Sequence, residues 1–259
     1  MRMMKKVLGT VTVLALSVSL LAGCGSTAAS PVSSAASTAA ESTTSSVVSE
    51  TTSAAADENA AAAAQLLNDL TGSYQELWPV ILADEYQQTW LDDCTALVGE
   101  ENAEAAFEKL SSMVTSDVYG EDAVEAYANG GGAYFCGFTN SLATLTFDGE
   151  TSTISGTDKD GNVLFSHTYH YIGMEPVHGL YEFESDDADS GEFTYFFLAP
   201  DTSAETYHIE FRYGSDADAL SQYDAGDYAY WVASGISTDC DQTMIDNCIE
   251  LFCTENLAG

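Results

Sequence analysis

The sequence predicts a mainly β protein, an antiparallel meander of at least six strands that forms a barrel or half-barrel with helices beside it. Residues 132–214 contain six short apolar runs separated by turn residues, a pattern that is typical of all-β barrels. The segments on either side have apolar residues at steps of three and four, which favours amphipathic helices.

The strand predictions follow the apolar runs. The predicted strands are Ala133–Phe138, Leu142–Phe147, Val163–Ile172, Leu180–Phe183, Phe193–Leu198 and Tyr207–Tyr213. Asp148-Gly149 and Asp160-Gly161 are hairpin turn signals. Asp158, Asp160 and Asn162 have the spacing of calcium-loop ligands, but Val163 stands where such a loop needs glycine. A tight turn is therefore the favoured interpretation.

Helices are predicted over residues 59–128 and at the C-terminus. Leucines and aromatic residues recur at helical steps between Leu66 and Ile81, and Pro79 is expected to kink or interrupt this run. Asp216 or Asp218 can cap a short helix that extends to Tyr223. The terminal helix is expected to begin at Ser237 or Thr238.

The N-terminus resembles a bacterial lipoprotein signal. Arg2, Lys5 and Lys6 precede the apolar run Val7–Leu21, and small residues lead into Cys24. In a lipoprotein this thiol carries the lipid and becomes the mature N-terminus. We therefore expect lipid attachment at Cys24 and a place in the cell envelope, on the outer face of the cytoplasmic membrane. The alternative is an ordinary signal peptide with an incidental cysteine.

Composition divides the chain into three parts. Residues 1–23 form the predicted signal peptide, and residues 24–60 form a tether rich in Ser, Thr and Ala, which is expected to be disordered because it has little large apolar surface. Residues 61–259 are long enough for one domain with a sizeable core.

The charge balance excludes some partners. The formal net charge is −35, and without the signal peptide three bases stand against 41 acids, a charge of −38. Binding to nucleic acid needs Lys and Arg to neutralise phosphates, so no nucleic-acid partner is expected. Electrostatic docking on an anionic bilayer is disfavoured for the same reason. Cations are favoured, either as a diffuse cloud or at defined sites.

Five cysteines follow Cys24, which leaves at least one thiol unpaired or paired between chains. Cys248 and Cys253 are five residues apart on a predicted helix, which is poor geometry for a bridge between them. These cysteines are expected to be buried small hydrophobes or to form at most two disulfides.

The strand Tyr207–Tyr213 is the best candidate for a metal site. Its alternation puts His208, Glu210 and Arg212 on one face. An imidazole and a carboxylate at this spacing can converge on one metal ion. His170 is the candidate third donor. The alternative is a simple surface ion pair between Glu210 and Arg212, which contributes about 0–1 kcal/mol.

Four segments resemble the ZinT/YodA family of envelope zinc-binding proteins. They are Gly72–Pro79 (GSYQELWP), Tyr181–Glu184 (YEFE), Phe197–Pro200 (FLAP) and Tyr207–Gly214 (YHIEFRYG). The resemblance extends over about residues 64–256 and implies a lipocalin-like barrel with a helical portion. It also implies a zinc site made by barrel histidines.

The resemblance assigns the ligand positions only in part. His208 matches the first residue of the family's histidine-x-histidine pair, Glu210 occupies the position of the second, and the third histidine falls at Phe196. A phenyl ring cannot bind zinc, and a carboxylate suits harder ions such as Ca²⁺, Mg²⁺ or Mn²⁺ better than imidazole does. The expected cofactor is therefore zinc or another divalent cation.

Enzyme signatures are absent from the sequence: it has no GxSxG, HExxH, phosphate loop or dinucleotide pattern. We therefore expect a non-enzymatic, lipid-anchored protein that binds a divalent metal and supports uptake by a metal ABC transporter. The alternative is a barrel whose metal site is lost and which acts as an interaction or small-ligand-binding module.

Overall fold

The computed structural model describes residues 58–258, and its centre is a closed barrel of eight antiparallel strands. The strands are β1 (Gly72–Glu76), β2 (Thr144–Asp148), β3 (Thr153–Thr157), β4 (Val163–Met174), β5 (Tyr181–Ser185), β6 (Tyr195–Leu198), β7 (Ile209–Gly214) and β8 (Ala233–Ser237). Each strand pairs with the next in the chain, and β8 pairs with β1 to close the barrel. The predicted fold class, a lipocalin-like antiparallel barrel with flanking helices, is confirmed.

Aromatic side chains fill the barrel interior. Phe196 of β6 is completely buried, and its ring centroid lies 5.3 Å from that of Tyr213, 5.4 Å from Tyr169 and 6.4 Å from Phe211. Fully buried aromatic side chains contribute most of the apolar area that stabilises a core of this kind. The interior is therefore a hydrophobic core.

Three strands were missed because their sequences carry weak signals. β1 was included in the predicted helix, since Tyr74 falls at a helical step, but Tyr74 is a buried strand residue. β3 (TISGT) has one large apolar side chain and β8 (ASGIS) also has one. Conversely, the predicted strand Ala133–Phe138 is wrong: Phe135 forms only isolated bridges there. Whether β1, β3 and β8 form strands depends on their neighbours in the closed sheet rather than on their own sequences.

The predicted hairpin turns are confirmed. β2 and β3 are joined through Asp148-Gly149, and β3 and β4 through the segment that begins at Asp158. The carboxylate of Asp158 accepts hydrogen bonds from the backbone N–H groups of Asp160 and Asn162, both at 2.9 Å. This is an Asx turn, as the sequence predicts.

Eight α-helices flank the barrel within residues 58–258. They are α1 (58–69), α2 (Leu77–Ile81), α3 (Gln87–Val98), α4 (Glu100–Ser112), α5 (Glu121–Ala128), α6 (Ser203–Thr206), α7 (Ala217–Leu220) and α8 (Gln242–Leu257). Pro79 lies in the first turn of α2, where its missing N–H costs little.

Two acidic side chains cap helices. Asp216 caps α7 by accepting from the N–H of Ala219 at 3.0 Å, as predicted, but α7 ends at Leu220. The predicted start of the terminal helix is wrong, because Asp241 is the cap and accepts from the N–H of Met244 at 2.9 Å. The residues before Asp241 belong to β8 and to the turn after it, so the helix begins later than predicted.

A second apolar core lies outside the barrel, between its wall and α2, α3, α4 and α8. Ile236 of β8 contributes to it from the barrel, and Trp90 of α3 is fully buried within it. The indole N–H of Trp90 donates to the carbonyl of Ile81 at 2.7 Å, so its burial leaves no unpaired donor. This core holds α8 against the helices and the barrel.

Arg212 is the most buried basic residue of the described segment. Its guanidinium donates to the backbone carbonyls of Leu220, Gln222 (3.2 Å) and Tyr228 (2.5 Å), and it lies 4.2 Å from the ring centroid of Tyr223. The alternative interpretation of Glu210 and Arg212 as a surface ion pair is wrong, since Arg212 has no exposed surface. Arg212 instead ties the segment 220–228 to the outer wall of the barrel.

The predicted signal peptide, Cys24 and most of the tether lie outside the described residues. Within residues 58–258, no helix has the length and apolar character needed to cross a bilayer.

We expect Arg212→Met to lower the free energy of unfolding by about 3 kcal/mol, because it leaves buried carbonyl groups without their donor. Urea unfolding followed by circular dichroism measures this. The control is Lys159→Met, which removes a charge from an exposed side chain and should change stability by at most about 0.5 kcal/mol. Equal effects of the two substitutions would contradict a structural role for Arg212.

Candidate functional site

The candidate site lies on the outer wall of the barrel, where β7 begins. Phe211 points into the barrel core, so Glu210, on the other face of the strand, points outward. His208 precedes β7 and follows Tyr207, a non-glycine residue with φ of +66° in the left-handed region. Such a conformation costs about 1 kcal/mol or more and is often found at functional sites.

The hydrogen bonds of His208 leave one ring nitrogen free. Its Nδ1 lies 2.7 Å from the carbonyl oxygen of Thr206. A carbonyl oxygen only accepts, so Nδ1 carries a proton, and in the neutral ring Nε2 carries the lone pair. Nε2 lies 3.8 Å from Oε1 of Glu210. This arrangement resembles that of metal-binding histidines, whose other ring nitrogen commonly donates to a carbonyl.

Helix α8 closes the other side of His208. The sulfur of the buried Cys248 lies 3.8 Å from Nδ1 of the ring. Burial opposes the charged imidazolium, but the neighbouring Cys248 sulfur and Glu210 carboxylate outweigh it and raise the pKa of His208 well above its usual range. An ion that binds at Nε2 must therefore displace a proton.

Two further carboxylates act electrostatically on this pair. Burial and the charges of Glu210 and Glu205 raise the pKa of Asp201, which follows β6. Partial desolvation also raises the pKa of Glu255 on α8, whose side chain is nevertheless exposed; the nearby charges of Glu210 and Asp201 add to the shift, while His208 opposes it. The site thus gathers acids with one imidazole among them, an arrangement that a bound cation would stabilise.

The distances test whether these residues fit a metal ion. Two donors at about 2.1 Å from one zinc ion are about 3.4 Å apart in tetrahedral geometry. The separation of 3.8 Å between His208 and Glu210 is close to this value. No three His, Cys, Asp or Glu side chains between residues 58 and 258 are arranged to hold an ion together. The separation of this pair is compatible with a shared ion, and between residues 58 and 258 no third donor is in place beside it.

The structure does not bring His170 to His208. His170 lies on β4, where its Nδ1 is 2.7 Å from Asp186 and its Nε2 is 3.9 Å from Glu184. The strand register aligns His170, through β5 and β6, with Gly214 at the far end of β7. At 3.4 Å per residue, this separates the two histidines by about 20 Å along the strand direction.

Phe196, at the position of the family's third histidine, belongs to the aromatic core of the barrel. Its ring is completely buried between other aromatic side chains. The interior and the candidate site are therefore on opposite faces of the barrel wall.

Among the solved structures that match this chain are two from one protein. One is the Zn(II)-bound ZinT-like domain of AdcA from Streptococcus pneumoniae, with 14% sequence identity and a TM-score of 0.45 over 71% of this chain and 89% of that domain. The other is Zn(II)-bound AdcA, with 14% identity and a TM-score of 0.43 over 70% of this chain and 34% of AdcA. No protein-family model and no curated protein matches the sequence.

The sequence predicts His208 and Glu210 as donors, and the structure places Asp201, Glu255 and Cys248 near them, which the sequence analysis does not single out. Asp201 directly follows the FLAP segment that carries part of the family resemblance, which is a usable signal. Cys248 and Glu255 lie 40 and 47 residues after His208 in the chain. Only the packing of α8 against the barrel brings them near β7.

The raised pKa values predict that the protein is more stable in mild acid than at neutral pH. A carboxyl group with a raised folded-state pKa contributes stability below its unfolded pKa, near 4, and loses it as pH rises through the folded value. Burial and neighbouring acids raise the pKa of Asp93, Glu182 and Asp201 in this way.

The urea concentration at the unfolding midpoint should therefore decrease as the pH is raised from 4.5 to 7.5. Added NaCl should restore part of this loss of stability at pH 7.5, because it screens the acidic charges. A midpoint that rises over this pH range would contradict the assignment.

Proposed function

We propose that this chain is a non-enzymatic binding protein for a divalent metal ion, zinc or a harder cation, held at His208 and Glu210. The observation that carries the proposal is the orientation of His208: its Nδ1 is tied to the carbonyl of Thr206, which leaves Nε2 facing the Glu210 carboxylate at 3.8 Å. The resemblance of the segment Tyr207–Gly214 to the family's histidine strand supports it.

Asp201 and Glu255 complete the proposed donor set, in place of His170. Glu255 is exposed and Asp201 is half-buried, so both side chains can turn toward an ion at low cost. One imidazole with several carboxylates is a mixed donor set, which binds zinc less tightly than three histidines and accepts harder ions more readily. Such a site suits reversible capture and release.

The proposed site is open to exchange with solvent. The side chains of His208 and Glu210 are 18% and 38% exposed, so an ion can enter without rearrangement of the barrel. Binding displaces the proton from Nε2, and a fall in pH or a competing ligand therefore promotes release. In this proposal the residues of the chain bind and release the ion without catalysing a reaction.

The cellular setting is part of the proposal. A lipid on Cys24 would anchor the chain on the outer face of the cytoplasmic membrane, and the tether of residues 24–60 would let the domain deliver its ion to a metal ABC transporter. The acidic surface would raise the local concentration of cations near the site.

A second candidate function is a non-metal interaction module. Phe196 favours it, because the position that the family resemblance assigns to a histidine is part of the buried aromatic core. In this case the outer carboxylates would be a solvated acidic surface.

We expect the full chain to bind one zinc ion with a micromolar or lower Kd, and His208→Ala to weaken this binding at least tenfold, because it removes the nitrogen donor. Isothermal titration calorimetry in 0.15 M NaCl measures both. His170→Ala is the matched control, since His170 is a half-exposed histidine next to two carboxylates on another part of the barrel.

Weak, multi-site zinc binding that neither substitution changes and that high salt abolishes would contradict the metal site. It would indicate condensation of cations on the acidic surface and favour the interaction module.

We further expect Glu210→His to tighten zinc binding about tenfold or more, because a second imidazole replaces an oxygen donor at the place where the family pattern has histidine. Competition with a chromophoric zinc chelator resolves this range. Phe196→His is the comparison: it buries a polar ring in the aromatic core, so it should destabilise the fold without tightening zinc binding. Unchanged affinity in Glu210→His would place the ion elsewhere.

A further inference from the structure

Two cysteines from distant parts of the chain lie side by side in the core outside the barrel. Cys94 is in α3 and Cys253 is in α8, 159 residues apart, and their sulfur atoms are separated by 3.9 Å. Both side chains are completely buried. A gap of 3.9 Å leaves no room for another atom, so nothing has to be displaced for the two sulfurs to approach.

The remaining described cysteines have different surroundings. Cys248 lies against His208. Cys136 is buried beside Ser234 and Trp78, whose hydrogen-bonding groups oppose the effect of its burial on its pKa. Cys240 is partly exposed, at the turn before α8. Cys94 and Cys253 are thus singled out by their mutual contact.

We propose that Cys94 and Cys253 form a disulfide that links α3 to α8. Each thiol loses its hydrogen and one Sγ–Sγ bond forms, while the two electrons and two protons pass to a disulfide exchange partner, a small-molecule or protein disulfide that is reduced to two thiols. The sulfurs approach by about 1.9 Å to reach the bond length of about 2.05 Å.

The bond forms during folding. Once the core has closed, exchange partners cannot reach either sulfur, and burial raises the pKa of both thiols, which suppresses the reactive thiolate. In the partly folded chain both thiols are accessible. Packing of Trp90 of α3 against Phe252 of α8, with ring centroids 5.9 Å apart, then brings the neighbouring cysteines together.

The linkage holds the helix that faces the candidate site. α8 carries Cys248, which contacts His208, and also Glu255, so a covalent bond from α8 to α3 keeps these groups in place. The proposal does not depend on metal binding, because it rests on the two thiols alone.

The test is a thiol count on the unprocessed full chain, in which Cys24 carries no lipid and is a free thiol. The reduced, unfolded protein is refolded in a mixture of oxidised and reduced glutathione, then denatured and alkylated with N-ethylmaleimide. Mass spectrometry should find four of the six cysteines alkylated. Proteolytic peptides that contain Cys94 and Cys253 should appear joined. Reduction should lower the Tm of the oxidised protein by about 5–10 °C.

Two variants control the assignment. Cys94→Ser should leave all five remaining cysteines alkylated, with no effect of reductant on Tm, whereas Cys240→Ser should keep the joined peptides and lose one alkylation. Six alkylated cysteines in the refolded wild-type chain, or a bond between any other two cysteines, would overturn the proposal. The peptide map of the wild-type chain decides this even if Cys94→Ser does not fold.

Discussion

The fold depends on filling the inside of a closed eight-stranded barrel with aromatic side chains. A barrel of this size encloses a space just wide enough for side chains to fill, and here Phe196 of β6 packs against Phe211 and Tyr213 of the adjacent strand β7. Each strand pairs with the next in the chain, and the pairing of β8 with β1 closes the barrel, so the core and the closed sheet together fix the alignment of the strands. A position occupied by Phe196 is therefore not free to hold a metal ligand.

The apolar interior of the barrel also determines where the charged side chains lie. Among residues 58–258 the barrel interior is filled by apolar and aromatic side chains, and the acidic side chains other than Glu175 are at least partly exposed. Arg212 is buried on the outer wall, where backbone carbonyls and the ring of Tyr223 surround its guanidinium. His208 lies just before β7, two residues from Glu210, with acidic side chains near it and α8 packed against its ring. The segment 220–228 covers Arg212, and α8 covers His208, so the surroundings of both groups depend on elements that pack against the outside of the barrel.

Prediction succeeded where a local pattern matched the final environment. β4, β6 and β7 have long apolar or alternating runs, and their turns contain Asp-Gly pairs or polar loops. It failed at β1, β3 and β8, whose short sequences are strands because neighbouring strands supply their hydrogen bonds. For the site, the alternation predicted for Tyr207–Tyr213 placed His208 near Glu210, and the two side chains are 3.8 Å apart although His208 lies just before β7. It could not exclude His170, because strand register is a property of the whole sheet.

Local periodicity and composition are sufficient to predict the class of fold, the apolar faces of the strands, the acidic character of the chain and the proximity of His208 to Glu210. Only the packing of the folded chain shows that Phe196 is core, that Arg212 binds carbonyls, and that Asp201, Cys248 and Glu255 lie near His208. It also placed Cys94 beside Cys253 across 159 residues. These contacts join segments far apart in the chain, and no local pattern encodes which helix face meets which strand.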